Sequence, residues 1–294
     1  MKNSKNLWAV ALMVVTVLWG WSFVAIHQAL EFMSASAFNA NRFLVGAAVM
    51  FVVIMRRYRT LDFRQMKYGL APGVILFLAF AFQTEGIART SASNASFITG
   101  LAVIFAPVFG FYLLKIRPTG QQAVGAVIAV IGLALLTVKE LAIHLGDSLV
   151  LVCALFTALH IVVLSKNSKL VDVEMLAFTQ VLVVAALSLT WSLSNSDFST
   201  PQTDQAIWAV IVIGIGGTAI GYFVQTKAQV ETAPNLIAMI LVLEPVFGGI
   251  FGYFLGGDRL SVINLVGAAL IVSAMVVAEY KSRANGGASD KLLL

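Results

Sequence analysis

The chain is poor in charge and has almost no cysteine. Charged residues make up 11% of its 294 positions and hydrophobic ones 60%, whereas ordinary soluble domains carry roughly 25% charged residues. So little polar surface does not keep a globule in solution, and the composition reads as that of a membrane protein. The single cysteine, Cys153, excludes an intrachain disulfide and a cysteine-held metal cluster; it reads as a small apolar packing residue. His27, His144 and His160 are scattered, and neither HExxH nor GxSxG occurs. An intramembrane enzyme therefore lacks support, and no cofactor or metal is expected. Without a GxxxxGKS/T motif, direct ATP coupling within the chain is also unsupported.

Apolar runs fill the chain instead. Windows of about 20 apolar residues, enough to cross a bilayer as a helix, recur along its length. They predict ten spans, at 7–27, 35–56, 68–88, 91–114, 119–138, 147–165, 174–193, 206–228, 234–255 and 260–280, joined by short polar turns. The run from Leu7 to about Ile26 is long for a signal-peptide core and lacks a small-x-small cleavage site, so it reads as a span. Basic residues gather on one side, in Arg56, Arg57, Arg59, Arg64, Lys67, Lys115, Arg117, Lys166 and Lys169, with little beyond Arg89, Lys139 and Arg259 opposite. This positive-inside pattern implies an even number of spans in a cell inner (plasma) membrane, with both termini cytoplasmic. It accounts for the net charge of +5 with the bilayer and a small-molecule substrate as partners and no nucleic acid. The basic 56–67 loop is also placed to touch anionic lipid. Residues 282–294 are polar, then Leu-Leu-Leu, and read as a disordered cytoplasmic tail.

One stretch, Gln83 to Pro107, has an echo later in the chain. Gln83-Thr84 is answered by Gln225-Thr226, and Ala106-Pro107-Val108-Phe109-Gly110 by Glu244-Pro245-Val246-Phe247-Gly248. Trp19-Gly20 aligns with Thr157-Ala158, Arg42 with Gln180, and Gly125 with Gly267. The reading is two repeats, 1–141 and 142–281. Five spans per repeat is an odd number, so the halves are expected in opposite orientations, an all-α bundle of two inverted five-helix repeats around a central cavity. Secondary transporters recur in this form, with the substrate held between the halves near the midplane.

The Trp-Gly pair of span one, the arginine of span two, Thr-Ser-Ala-Ser-Asn-Ala-Ser-Phe-Ile-Thr-Gly-Leu leading to Pro107, and Leu-Glu-Pro-Val-Phe in span nine resemble the EamA-type drug/metabolite transporter superfamily. The resemblance covers roughly Leu7 to Tyr280. It implies ten transmembrane helices, alternating access, and transport of small organic solutes without choosing among them. Arg42 with amide and aromatic groups fits an amino acid or a vitamin-like, flavin-like aromatic solute. Export of toxic organic cations is the alternative, and a channel-like pore is the alternative of another class.

Charges at membrane depth default to functional candidates. Arg42 shares a helix face with Asn39 and Gly46; it either meets a substrate carboxylate or braces helices. Glu244, before Pro245, is either a proton-coupling acid or a structural one, and Pro245 frees the Leu241 carbonyl one turn back. Glu85 has Arg89 at i+4, a spacing for a local salt bridge, or it serves an outer vestibule. Thr218, Tyr222, Gln225 and Gln229 form a polar stripe, with Lys227 off it and expected to snorkel to the inner surface. Trp19, Ser22, Gln83, Asn94, His160 and Gln180 complete the candidate lining. Pro107, Pro245, Gly248 and Gly252 are candidate hinges. The glycine spacing Gly248, Gly252, Gly256 suits packing inside a monomeric bundle or a dimer interface.

Overall fold

In the computed structural model, the structure describes residues 2–58, 60–137, 144–168, 170–231 and 240–280. The expected tail, 282–294, lies outside them, as do the first residues of the ninth predicted span. The described residues form helices α1 (Lys2–Ala29), α2 (Ala35–Tyr58), α3 (Phe63–Ile87), α4 (Ala92–Gly100), α5 (Ala102–Leu114), α6 (Gly120–Thr137), α7 (Leu145–Asn167), α8 (Val173–Ser194) and α9 (Asp204–Val212). A π-helical segment (Ile213–Ile220) follows, then α10 (Gly221–Glu231), α11 (Leu243–Leu255) and α12 (Val262–Tyr280). No strand occurs among the described residues. Seven segments are long and apolar enough to cross a membrane, including α4–α5 and α9–α10 taken together; Gly120–Leu136, Leu243–Leu255 and Val262–Ala278 are shorter apolar helices.

Helix boundaries follow local chemistry. Asp62 caps α3 by accepting from the Arg64 and Gln65 amides, and Ser91 and Thr203 cap α4 and α9. Pro72 sits inside α3, where it leaves the Tyr68 carbonyl without its helical donor. That carbonyl accepts from Asn167 Nδ2 at 2.6 Å, so the proline defect is repaired from the end of α7. The predicted span at 91–114 is a broken helix. Leu101 separates α4 from α5, and its amide donates to Ile98 O in a tightened turn.

The main helix packing runs between the halves rather than within them. Helix α3 lies on α7 and α8, α2 on α8 and the π segment, α1 and α4 on α11, and α6 on α12. Neither half covers its own buried faces, so the two fold as one interdigitated bundle. The glycine stripe of α11 serves this packing: a Cβ at Gly248 would strike Ser96, and one at Gly252 would strike Ser93. Outward faces carry residues such as Val53, Val127, Val130 and Phe254, while Thr16, Ser96, Thr179 and Ser188 are buried. A bilayer asks for this distribution, because hydrocarbon solvates the apolar exterior and polar side chains find partners only inside.

Polar junctions also cross between the halves, and they lie at the two ends of the bundle. At one end Thr90 Oγ1 donates to Asp147 Oδ1 at 2.5 Å, Ser36 Oγ reaches both Asp197 oxygens at 2.6 and 2.7 Å, and the Ser93 amide donates to Asp258 Oδ2 at 2.8 Å. Burial works to raise the Asp197 carboxyl, but the hydroxyls of Ser36, Ser192 and Ser34 outweigh it and hold the group below its ordinary value. At the other end Glu174 accepts from Tyr58 Oη at 3.0 Å and pairs with Arg57 at 2.9 Å and Lys227 at 3.9 Å. Lys227, expected to snorkel to the inner surface, reaches this acid at the end of the bundle that also carries Arg57.

Candidate functional site

A central cavity lies at the seam between the halves. It encloses about 930 Å³ outside atoms, counting the part open to the exterior, and about 100 Å³ of it admits the centre of a water molecule. That smaller figure is room for several waters and falls below the roughly 300–1,000 Å³ of small-molecule pockets.

The π segment builds one wall. Its sequence, Ile-Gly-Ile-Gly-Gly-Thr-Ala-Ile, combines weak helix propensity with three glycines, and the wider turn leaves carbonyls off the ordinary ladder. Trp19 Nε1 donates to one of them, Gly217 O, at 2.8 Å. A Cβ at Gly221 would lie 3.1 Å from that same nitrogen, so a side chain there would press the indole away. Helix α2 comes equally close. A Cβ at Gly214 would meet Arg42 O at 2.9 Å, and one at Gly46 the Thr218 side chain at 2.7 Å. This approach sets Arg42, Thr218, Tyr222 and Gln225 around one space.

Arg42 is the decisive group. It is 2% exposed, yet Nε and Nη2 have no hydrogen-bond partner and no ion pair reaches it among the described residues. Its guanidinium rests against a pair of touching rings, 4.2 Å from the centroid of Phe80 and 4.5 Å from that of Phe43, which are themselves 4.9 Å apart. Such contacts return about 2 kcal/mol each when desolvated, against several kcal/mol for burying the ion. The balance leaves a planar cation on the cavity wall with Nε and Nη2 unspent.

Glu244 lies on the cavity wall at the start of α11. No ion pair joins it to Arg42 or to another base among the described residues. Pro245 behind it packs where a Cβ on Gly100 would come within 2.9 Å, and Pro245 O accepts from Ser96 Oγ at 3.4 Å. The residues one turn before the two repeat-related prolines, Val103 before Pro107 and Leu241 before Pro245, both line the cavity. The carbonyls that the prolines free therefore belong to cavity-lining residues. Trp19, Tyr222, Phe80 and His160 add rings, with Tyr222 5.8 Å from Trp19, 6.1 Å from Phe80 and 6.4 Å from His160 between centroids.

Of the residues singled out in the sequence, Trp19, Ser22, Arg42, Gln83, His160, Tyr222, Gln225 and Glu244 line the cavity. Asn39 stands behind it, donating to Phe80 O at 3.2 Å and accepting from Thr84 Oγ1 at 3.1 Å, a brace between α2 and α3. Gln180 also stands behind, its Oε1 2.8 Å from His160 Nε2. Asn94 is buried in the first turn of α4, and its amide donates to Ser91. Glu85 is elsewhere, paired with Arg89 on the face of α3 turned towards α7. Gln229 is not on the wall, and its Oε1 has no partner. Phe80, Thr99 and Cys153 are lining residues that the sequence reading did not assign to the site. Helical spacing points to two of them: Phe80 is i−3 from Gln83, and Cys153 is i−7 from His160 through Thr157.

A polytopic bundle with a charged, ring-lined cavity between two halves has the build of a membrane solute transporter. The model of the EamA-like transporter family matches residues 6–138 and again 144–279, and the chain belongs to that family. An Archaeoglobus fulgidus protein described as an uncharacterized transporter is 30% identical over 279 residues, covering 94% of this chain and 87% of that one. The Bacillus subtilis protein YoaV, also described as an uncharacterized transporter, is 22% identical over 266 residues, covering 87% and 91%. A crystal structure with 18% identity superposes with a TM-score of 0.67 over 97% of this chain and all of that one, which shows a shared fold.

Proposed function

We propose that this protein is a secondary transporter for a zwitterionic small solute of the amino-acid class, carrying an apolar or aromatic body. The observation that carries the reading is Arg42, buried on the cavity wall with unpartnered guanidinium nitrogens. A solute carboxylate supplies the acceptors that the chain does not, in the bidentate geometry that suits a guanidinium. The solute's ammonium faces Glu244, and Trp19, Tyr222 and Phe80 hold its body.

Movement by alternating access is supported by size. A cavity this small admits a metabolite only when helices part, and the junctions at Glu174 on one side and at Asp147, Asp197 and Asp258 on the other tie the halves at opposite ends. Seven full-length spans and three shorter apolar helices support a ten-span count, with five spans per half, inverted halves and cytoplasmic termini in an inner (plasma) membrane. Glu244 is the group for proton coupling, and the working unit is a monomer.

A second reading, export of organic cations, is favoured by Glu244 lying without a basic partner among the described residues, in the cavity that Trp19 and Tyr222 line. One experiment separates them: a thermal-shift screen of purified protein against amino acids, vitamins, nucleobases and organic cations, followed by counterflow in proteoliposomes. Saturable counterflow of a zwitterionic amino acid supports the proposal. Hits confined to cations replace it with the second reading, and non-saturating flux of many solutes indicates a channel.

A further inference from the structure

Away from the central cavity, on the opposite face of α3, a second groove opens between α3, α7 and α8. It encloses about 890 Å³, open side included, of which about 490 Å³ admits the centre of a water molecule. It is more open than the central cavity, and its water-accessible space falls within the range of small-molecule sites. Phe77, Leu78, Ala81 and Phe82 of α3 form its floor, Leu145 and Leu149 of α7 one wall, and Trp191 of α8 the other. The Phe77 and Trp191 rings meet edge to face at 6.2 Å. At its rim sit the paired side chains of Glu85 and Arg89, 32% and 45% exposed.

We infer that this groove is a binding site for one zwitterionic aminophospholipid, with its phosphate on Arg89, its primary ammonium on Glu85 and an acyl chain along Phe77, Leu78 and Leu149. Three observations choose this occupant. The groove is apolar except at its rim, as a molecule with one charged end requires. Its α3 lining runs nine residues, Phe77 to Glu85, about 13 Å of helix, close to the roughly 15 Å half-thickness of the hydrocarbon core. The rim carries one charge of each sign, so it complements a headgroup that also carries both. Arg89 uses Nη1 towards Glu85, and a guanidinium has further donors for phosphate oxygens. The carboxylate discriminates among headgroups. A primary ammonium donates up to three hydrogen bonds to it, a quaternary choline donates none, and an anionic glycerol headgroup is repelled.

Trp191 reports the site. Wild-type protein and Trp191→Phe are reconstituted in phosphatidylcholine bilayers, and phospholipids with brominated acyl chains are titrated in; the difference in tryptophan quenching isolates Trp191 from the other four tryptophans. The expected result is that the ethanolamine lipid quenches Trp191 at a mole fraction about threefold lower than the choline lipid, the scale of one exposed charge-assisted contact. Glu85→Gln removes that preference, Arg89→Gln weakens retention of both lipids, and Ala81→Phe fills the groove and abolishes the Trp191 component with the ion pair intact. Equal quenching by ethanolamine, choline and glycerol headgroups overturns the inference, as does a preference that survives Glu85→Gln. The headgroup comparison on the unaltered protein decides the matter even where a variant does not fold.

Discussion

Replacing Arg42 by methionine separates a ligand-binding arginine from a brace, because the two roles predict opposite signs for stability. The methionine keeps an unbranched stem against Phe43 and Phe80 while removing the charge and its donors. If Arg42 serves the solute, the apo protein loses a buried ion without a carboxylate partner, and such replacements are neutral or stabilising by about 1–4 kcal/mol. Binding then loses a buried, hydrogen-bonded charge pair, a cost of about 3 kcal/mol or roughly two orders of magnitude in affinity. Membrane abundance and thermal midpoint are read on detergent-purified protein by size-exclusion fluorescence, and affinity by calorimetry against whichever zwitterion emerges from the screen. Arg42→Lys, which keeps the charge without the planar fork, is expected between the two. A methionine variant that falls in midpoint or abundance, yet still binds the solute with unchanged affinity, refutes the reasoning and makes Arg42 a brace.

Glu244→Gln is expected to flatten the pH dependence of uptake or counterflow and to weaken solute affinity, because the solute's ammonium loses its counter-charge; an unchanged pH profile removes Glu244 from proton coupling. Gly252→Val pushes a side chain into Ser93 and Asp258, where α11 lies on α4, and overpacking of this kind costs about 1–3 kcal/mol, read as a lower thermal midpoint. Asp197→Ala removes the acceptor of Ser36 and Ser192 and is expected to cost about 1–3 kcal/mol at neutral pH. Because the folded Asp197 carboxyl is held below its ordinary value, its contribution is full above about pH 4, the unfolded value, and is lost as pH falls through the folded value. The variant's deficit should therefore shrink in acid, and a deficit independent of pH counts against that assignment.

Class and the seven full-length spans were legible in the sequence because they depend on composition within a window about 20 residues wide. So were Arg42, Glu244 and the cavity-lining part of the eighth span's polar stripe, Thr218, Tyr222 and Gln225, since membrane-depth charges and helical spacing are local properties. The family resemblance rests on the same local runs, and two matches to one family model follow from them. What the amino acids by themselves did not reveal is which polar group meets which. Asn39 and Arg42 share a helix face, yet Asn39 is spent on Phe80 O and Thr84 and Arg42 finds no acid among the described residues. Gln180, aligned with Arg42 between the repeats, turns to His160, and Lys227 to Glu174. The Trp19 bond to Gly217 joins residues 198 positions apart. These outcomes are set by the rotation of each helix about its axis, which tight contacts at Gly46, Gly214 and Gly221 decide, and by a π segment whose wider turns shift the phase of everything after it. Periodicity says which residues share a face; only packing says what that face is turned towards, and the site is made of those encounters.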